Sequence, residues 1–301
     1  MTGDLKLNTL QKSKTRGILY AILSGLCYGL LGYFGINILK SGSSVYNMIF
    51  WRFAAASLFI AMILPFTSVW TKVSSKQLLK IVFIAGGMYF LESITYFISG
   101  QIIGTGLAMV IFFIYPAIVV LINLLFYHQK VNKNYYFAIG VILGGMVFVA
   151  DIGSLNLDLY GIGLAILSAF LYAIYIVISK NNPLSPMLST FAVSVGCMIA
   201  SLVAALAGNS FFVPNDLATW IDISGIGIIC TAVPMLLLLK SMNYISSEQA
   251  SIFSVSEPFF TMVFGMLLLG EVISLKQALG IVLLLSGALV TLLPNKVKET
   301  A

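Results

Sequence analysis

The chain has 301 residues, 60% of them hydrophobic and only 9% charged, a balance that excludes a water-soluble globular protein. Its net charge of +6 comes from 16 Lys and Arg against 10 Asp and Glu, with no clustered basic face of the kind nucleic acid requires. Cys27, Cys197 and Cys230 lie inside apolar runs and are odd in number, so they read as small packing residues and not as a disulfide framework.

The first 16 residues are predominantly polar and lead into a long apolar run without a clear small-residue cleavage site, so this run is expected to stay as the first helix. Reading onward between charged and Gly/Pro/Asn punctuation gives ten spans: 17–39, 45–66, 79–100, 104–127, 135–150, 159–179, 187–207, 220–240, 247–269 and 275–293. A run of about 20 apolar residues crosses a hydrocarbon core of about 30 Å as a helix. Connections are short, so consecutive helices run antiparallel. With the amino terminus in the cytoplasm, 13 basic residues fall inside and only Lys40 and Lys276 outside, Arg52 lying within the second span. That bias predicts a plasma-membrane protein with both termini cytoplasmic.

The chain repeats itself. Ala21-Ile22-Leu23-Ser24 with Tyr28 returns as Ala165-Ile166-Leu167-Ser168 with Tyr172, an offset of 144. Ala108, Pro116 and Gly145 return as Ala250, Pro258 and Gly287, an offset of 142. Two five-helix halves, 17–151 and 159–293, are expected between tails 1–16 and 294–301. Five is odd, so the second half enters from the opposite side as an inverted repeat, which supplies the two near-equivalent packings of an alternating-access carrier. The expected fold class is an all-α membrane protein of ten transmembrane helices.

Several of these segments resemble the EamA repeat of the drug/metabolite transporter superfamily. They are Phe50-Trp51-Arg52-Phe53-Ala54-Ala55-Ala56, Ser246-Ser247-Glu248-Gln249-Ala250, Glu257-Pro258, Leu269-Gly270-Glu271 and Gly280-Ile281-Val282-Leu283-Leu284-Leu285-Ser286-Gly287. The resemblance covers nearly the whole chain and is most specific from Ser246 to Gly287. In the first half His128-Gln129 stands where the second has Gly270-Glu271, so that acid is missing there. The resemblance implies a ten-helix carrier of small metabolites or drugs, with amino-acid exporters among its members.

Ionisable residues inside a bilayer are costly, which makes Glu257, Glu92 and Arg52 candidate functional groups. Glu257 stands out because Pro258 follows it and frees a backbone carbonyl one turn earlier, putting an acid at a mid-membrane break; Pro116 and Pro234 are expected to break or bend their helices too. An unpartnered carboxylate there is poorly solvated and suited either to exchanging a proton or to holding a cationic group. On a helical period Tyr89, Glu92, Tyr96 and Ser99 share one stripe; Phe112, Tyr115, Pro116, Val119 and Asn123 another; Ser247, Ala250, Ser254, Glu257, Thr261 and Gly265 a third. If the stripes face one another, helices 3, 4, 8 and 9 enclose an aromatic, hydroxyl-bearing cavity with two carboxylates, and helices 5 and 10 lie at the periphery. Tyr28 and Tyr172 join the candidates as repeat-related aromatic residues. The competing reading of the tyrosines is plain packing or an interfacial belt. Arg52 either reaches out to lipid phosphates or pairs with Glu92.

No Cys/His cluster suggests a metal, and no Gly-Lys-Ser/Thr ending suggests a nucleotide site, so neither cofactor nor ATP is expected. Ser24, Ser168 and the lone His128 sit on separate helices and make no catalytic set, so an enzyme is not expected. The expected partners are the bilayer, a small-molecule substrate and a proton or exchanged solute, with no oligomer required. Export of an amino acid or related amphipathic solute is the reading weighted by the resemblance. Uptake or exchange of a nucleoside-bearing metabolite such as S-adenosylmethionine is the alternative, and a structural or regulatory membrane subunit is the non-transport one.

Overall fold

A computed structural model of the protein describes residues 2–67, 74–128, 133–149, 158–270 and 272–292, with side chains from Lys12 onward. Gln129, Glu271 and the tail 294–301 lie outside the described residues. Among the described residues, eight helices are long and apolar enough to cross a membrane: α1 (Lys12–Lys40), α2 (Val45–Phe66), α3 (Ser75–Ile103), α4 (Thr105–Phe126), α6 (Leu159–Lys180), α7 (Pro186–Ala207), α8 (Leu217–Ser241) and α9 (Ser247–Leu269). Two shorter apolar helices, α5 (Lys133–Val149) and α10 (Leu275–Val290), bring the set among the described residues to ten. The amino-terminal polar segment is not an irregular tail: helix begins at Thr2 and runs on into α1, as its Leu, Lys and Gln residues favour.

Side-chain caps start several of these helices. Ser44 Oγ accepts from the Asn47 amide at 3.1 Å, Asp158 from Gly161 at 2.9 Å and Asp216 from Thr219 at 2.7 Å. Each cap satisfies an amide that the first helical turn leaves without an intrahelical partner. The bond from Thr219 also holds the Asp216 carboxyl below its ordinary range. Ser274 and Gln277 close a reciprocal capping box at the start of α10.

The packing has the twofold character of an inverted repeat. Helix α3 packs on α6 as α8 packs on α1, and α4 packs on α6 as α9 packs on α1; α2 pairs with α7 and α5 with α10. Every pair maps onto a pair when first-half helices are exchanged for their second-half counterparts. The last pair is peripheral and apolar, with Gly145 and Gly280 meeting backbone to backbone. At the end away from the amino terminus, the segment after α7 is strapped to α2. Asn47 and the Phe212 backbone bond reciprocally at 3.2 and 3.3 Å, and Trp51 Nε1 donates to the Phe212 carbonyl at 3.1 Å.

Candidate functional site

Irregular turns mark the middle of the bundle, and proline accounts for the two breaks that matter most. Helix α4 divides into Thr105–Phe112 and Tyr115–Phe126, and α9 into Ser247–Phe253 and Ser256–Leu269. Pro116 and Pro258 have no N–H for the carbonyl four residues back. In α9 that carbonyl is Ser254's, which accepts instead from the Glu257 amide at 3.0 Å in a tighter turn. Pro234 acts differently, because it follows a π-helical stretch, Gly225–Ala232, and its carbonyl accepts from Ser24 Oγ at 2.9 Å. Helix α3 has its own π-helical stretch, Ile81–Ala85, at the repeat-related level. Widened turns of this kind leave local freedom inside an otherwise rigid helix.

Between these irregular segments lies an internal cavity whose wall includes Tyr28, Arg52, Tyr89, Glu92, Tyr96, Phe112, Tyr172 and Glu257. About 30 Å³ of it admits water-sized occupants, room for one or two waters. The rings form a continuous chain. Tyr89 meets Tyr172 with centroids 6.0 Å apart and Tyr175 at 4.8 Å; Phe112 meets Tyr172 at 5.3 Å and Tyr96 at 5.0 Å. Tyr28 and Tyr89 share a hydroxyl hydrogen bond of 3.1 Å. Most of these contacts are edge-on or tilted, the arrangement that ring quadrupoles favour.

The charged groups are held unequally. Arg52 is 3% exposed, and its Nε donates to Thr231 Oγ1 at 2.6 Å. Thr231 passes the bond on to the Ile226 carbonyl at 2.7 Å, five residues back across the widened turn of α8. Glu92 accepts from Ser93 Oγ at 3.0 Å. Glu257 borders the cavity, and among the described residues no side chain hydrogen-bonds to its carboxylate. No group of His, Cys, Asp and Glu among the described residues is gathered for a metal ion.

Of the expected site residues, Glu257, Glu92, Tyr89, Tyr96, Tyr28, Tyr172 and Arg52 come together at this cavity. Tyr115 lies one layer behind it, meeting Tyr172 edge-on at 4.8 Å and donating to the Ser251 carbonyl at 3.3 Å. Ser254 does not border the cavity, because its hydroxyl turns back to the Ala250 carbonyl at 2.9 Å. Asn123 is displaced furthest, since eight residues of helix carry it about 12 Å along the axis from Tyr115. The expected set of lining helices also changes: α1, α2 and α6 contribute wall residues, while α8 reaches the site only through Thr231. Arg52 does not reach out to the membrane surface, because α7 and α8 cover α2 on that face. Tyr175 was legible in principle, three residues after Tyr172 and thus on the same helix face.

The chain matches the EamA-like transporter family over residues 15–150 and 159–293. It is similar to an uncharacterized transporter of Bacillus subtilis, 26% identical over 95% of this chain and 93% of that one. An uncharacterized transporter of Archaeoglobus fulgidus is 31% identical over 44% of this chain and 47% of its own length. A solved crystal structure superposes with a TM-score of 0.70 at 16% identity, covering 92% of this chain and 96% of that one, and so shares its fold.

Proposed function

This chain belongs to the EamA-like transporter family, and we propose that it is a secondary active carrier of a small amine-bearing metabolite, an amino acid or a close relative. It works by alternating access in the plasma membrane, with both termini cytoplasmic and export as the working direction. The observation that carries the reading is the cavity at the junction of the two halves, where two carboxylates and one guanidinium share a wall of aromatic rings. With all three ionised, that wall lacks one positive charge. An ammonium group or a proton supplies it, and the ring faces add cation–π attraction for the former. Glu257, free of side-chain partners, is the group on which substrate and proton exchange; Arg52 faces a substrate carboxylate. Only water-sized space is open, so the rings must part to admit a solute, and a compact solute suits the site better than a nucleoside-bearing one.

A matched series tests the charge assignment. In proteoliposomes, tyramine, tyrosine and 4-hydroxyphenylacetate carry the same ring as cation, zwitterion and anion. Competition against labelled tyrosine flux is expected to rank the amine and the zwitterion at least tenfold above the acid. Preference for the acid would mean that Arg52 governs binding and would overturn the assignment.

A further inference from the structure

Asn123 and Glu248 lie away from the cavity, yet both are buried, at 3% and 5% exposed. Asn123 Nδ2 donates to Glu248 Oε1 at 2.6 Å and to Ser247 Oγ at 2.9 Å. The bond joins α4, from the first half, to α9, from the second. One turn closer to the cavity, Tyr115 Oη reaches the Ser251 carbonyl across the same seam. Lys180 of α6 closes the neighbouring turn by donating to the Met242 and Ile245 carbonyls between α8 and α9. Asn123 and Tyr115 thus bridge the two halves on the amino-terminal side of the cavity, with Lys180 bracing the second half beside them.

The repeat shows what is missing on the other side. At the offset of 142, Asn123 corresponds to Gly265, Ser247 to Thr105 and Glu248 to Gly106. Two of the three counterparts have no side chain, so the bond has no equivalent between the opposite ends of α4 and α9. The packing agrees, because Tyr115–Phe126 packs on Ser247–Phe253 whereas Thr105–Phe112 and Ser256–Leu269 barely touch. Between α4 and α9, the fold therefore carries this side-chain bond at one end only.

We propose that the Asn123–Glu248 hydrogen bond is a one-sided gate latch, which must break before the cavity can face the cytoplasm. A short charge-assisted bond away from water contributes more than a neutral one, and breaking it strands a buried acid. The latch thereby biases the empty carrier toward the state closed on the cytoplasmic side. It rests on the alternating-access reading, so its test reads accessibility and not flux.

The reporter is Ser251→Cys in a chain whose three native cysteines are replaced, reconstituted without substrate in vesicles of each orientation. A charged, impermeant thiol reagent is applied from one side at a time. With Glu248 intact, labelling from the cytoplasmic side is expected to be slow. Glu248→Ala should speed it about tenfold or more, whereas Glu248→Gln, whose amide carbonyl still accepts from Asn123 in a weaker neutral bond, should fall between the two rates. Asn123→Ala breaks the same bond from its other partner and serves where Glu248→Ala folds poorly. Unchanged labelling in both alanine variants overturns the latch, and so does a Glu248→Gln variant that opens as far as Glu248→Ala. A protein that opens as expected but carries no solute would keep the latch and lose the transport reading; flux with unaltered accessibility would do the reverse.

Discussion

Glu257→Gln is expected to abolish pH-driven accumulation while leaving the protein folded and inserted. In proteoliposomes with an acidic lumen, outward proton flow on Glu257 drives external substrate inward. One-for-one exchange at a difference of one pH unit sustains up to about tenfold accumulation. The glutamine keeps the shape of the side chain and takes no proton, so the accumulation ratio should fall to one. The sign matters: wild-type accumulation should grow as the lumen is made more acidic and vanish when the two sides are equal. Retained substrate-for-substrate exchange in the variant would assign Glu257 to proton coupling alone, and lost binding would assign it to direct contact as well. Wild-type accumulation with wild-type pH dependence would transfer the role to Glu92.

Gly196→Val is expected to cost the folded protein itself. Helices α3 and α7 approach so closely that a Cβ built on Gly196 would overlap the Val82 carbonyl oxygen and the Gly86 Cα, well inside van der Waals contact. Backbone cannot step aside as a flexible side chain can. Cys197 Sγ also donates to the Gly86 carbonyl at 3.1 Å, a bond that separation of the helices would break. Overpacking of this kind costs about 3 kcal/mol, a large share of the stability of a typical protein. The yield of monodisperse protein in detergent should drop severely. Gly87→Val is the control, because nothing lies within 4 Å of a Cβ built there. Equal yields from the two variants would show that the α3–α7 approach is not required.

The architecture was legible in the sequence because a bilayer enforces it. Apolar length defines the spans, and the offset of Pro116 to Pro258 exposes the repeat. Where the chain breaks was legible too, since proline acts on its own helix. Long-range contacts were not. Nothing local marks Gly86 and Gly196 as neighbours, and only the fold brings residues so far apart together. Asn123 shows a second limit. Periodicity assigns a side chain to a face but not to a depth, and a stripe that includes Tyr115 near the cavity places Asn123 at the gate. Glu248, read only as part of a family segment, acquires its partner from the other half of the molecule. Arg52 was ambiguous because its distance from the helix end permits either fate, and the fold buries it against Thr231 of α8, a partner that neither reading named.

The central claim is that solute crosses the membrane through the cavity bordered by Glu92, Glu257 and the tyrosines. Its most direct test is efflux from proteoliposomes loaded with a defined library of amino acids, amines and nucleoside metabolites, with the external medium followed by mass spectrometry under an outside-acid pH difference. The account predicts that one class of compact amine-bearing solutes leaves faster than from protein-free vesicles, and that Glu257→Gln and Tyr89→Ala suppress that release. Release no faster than from protein-free vesicles, or release that both variants leave intact, would contradict it.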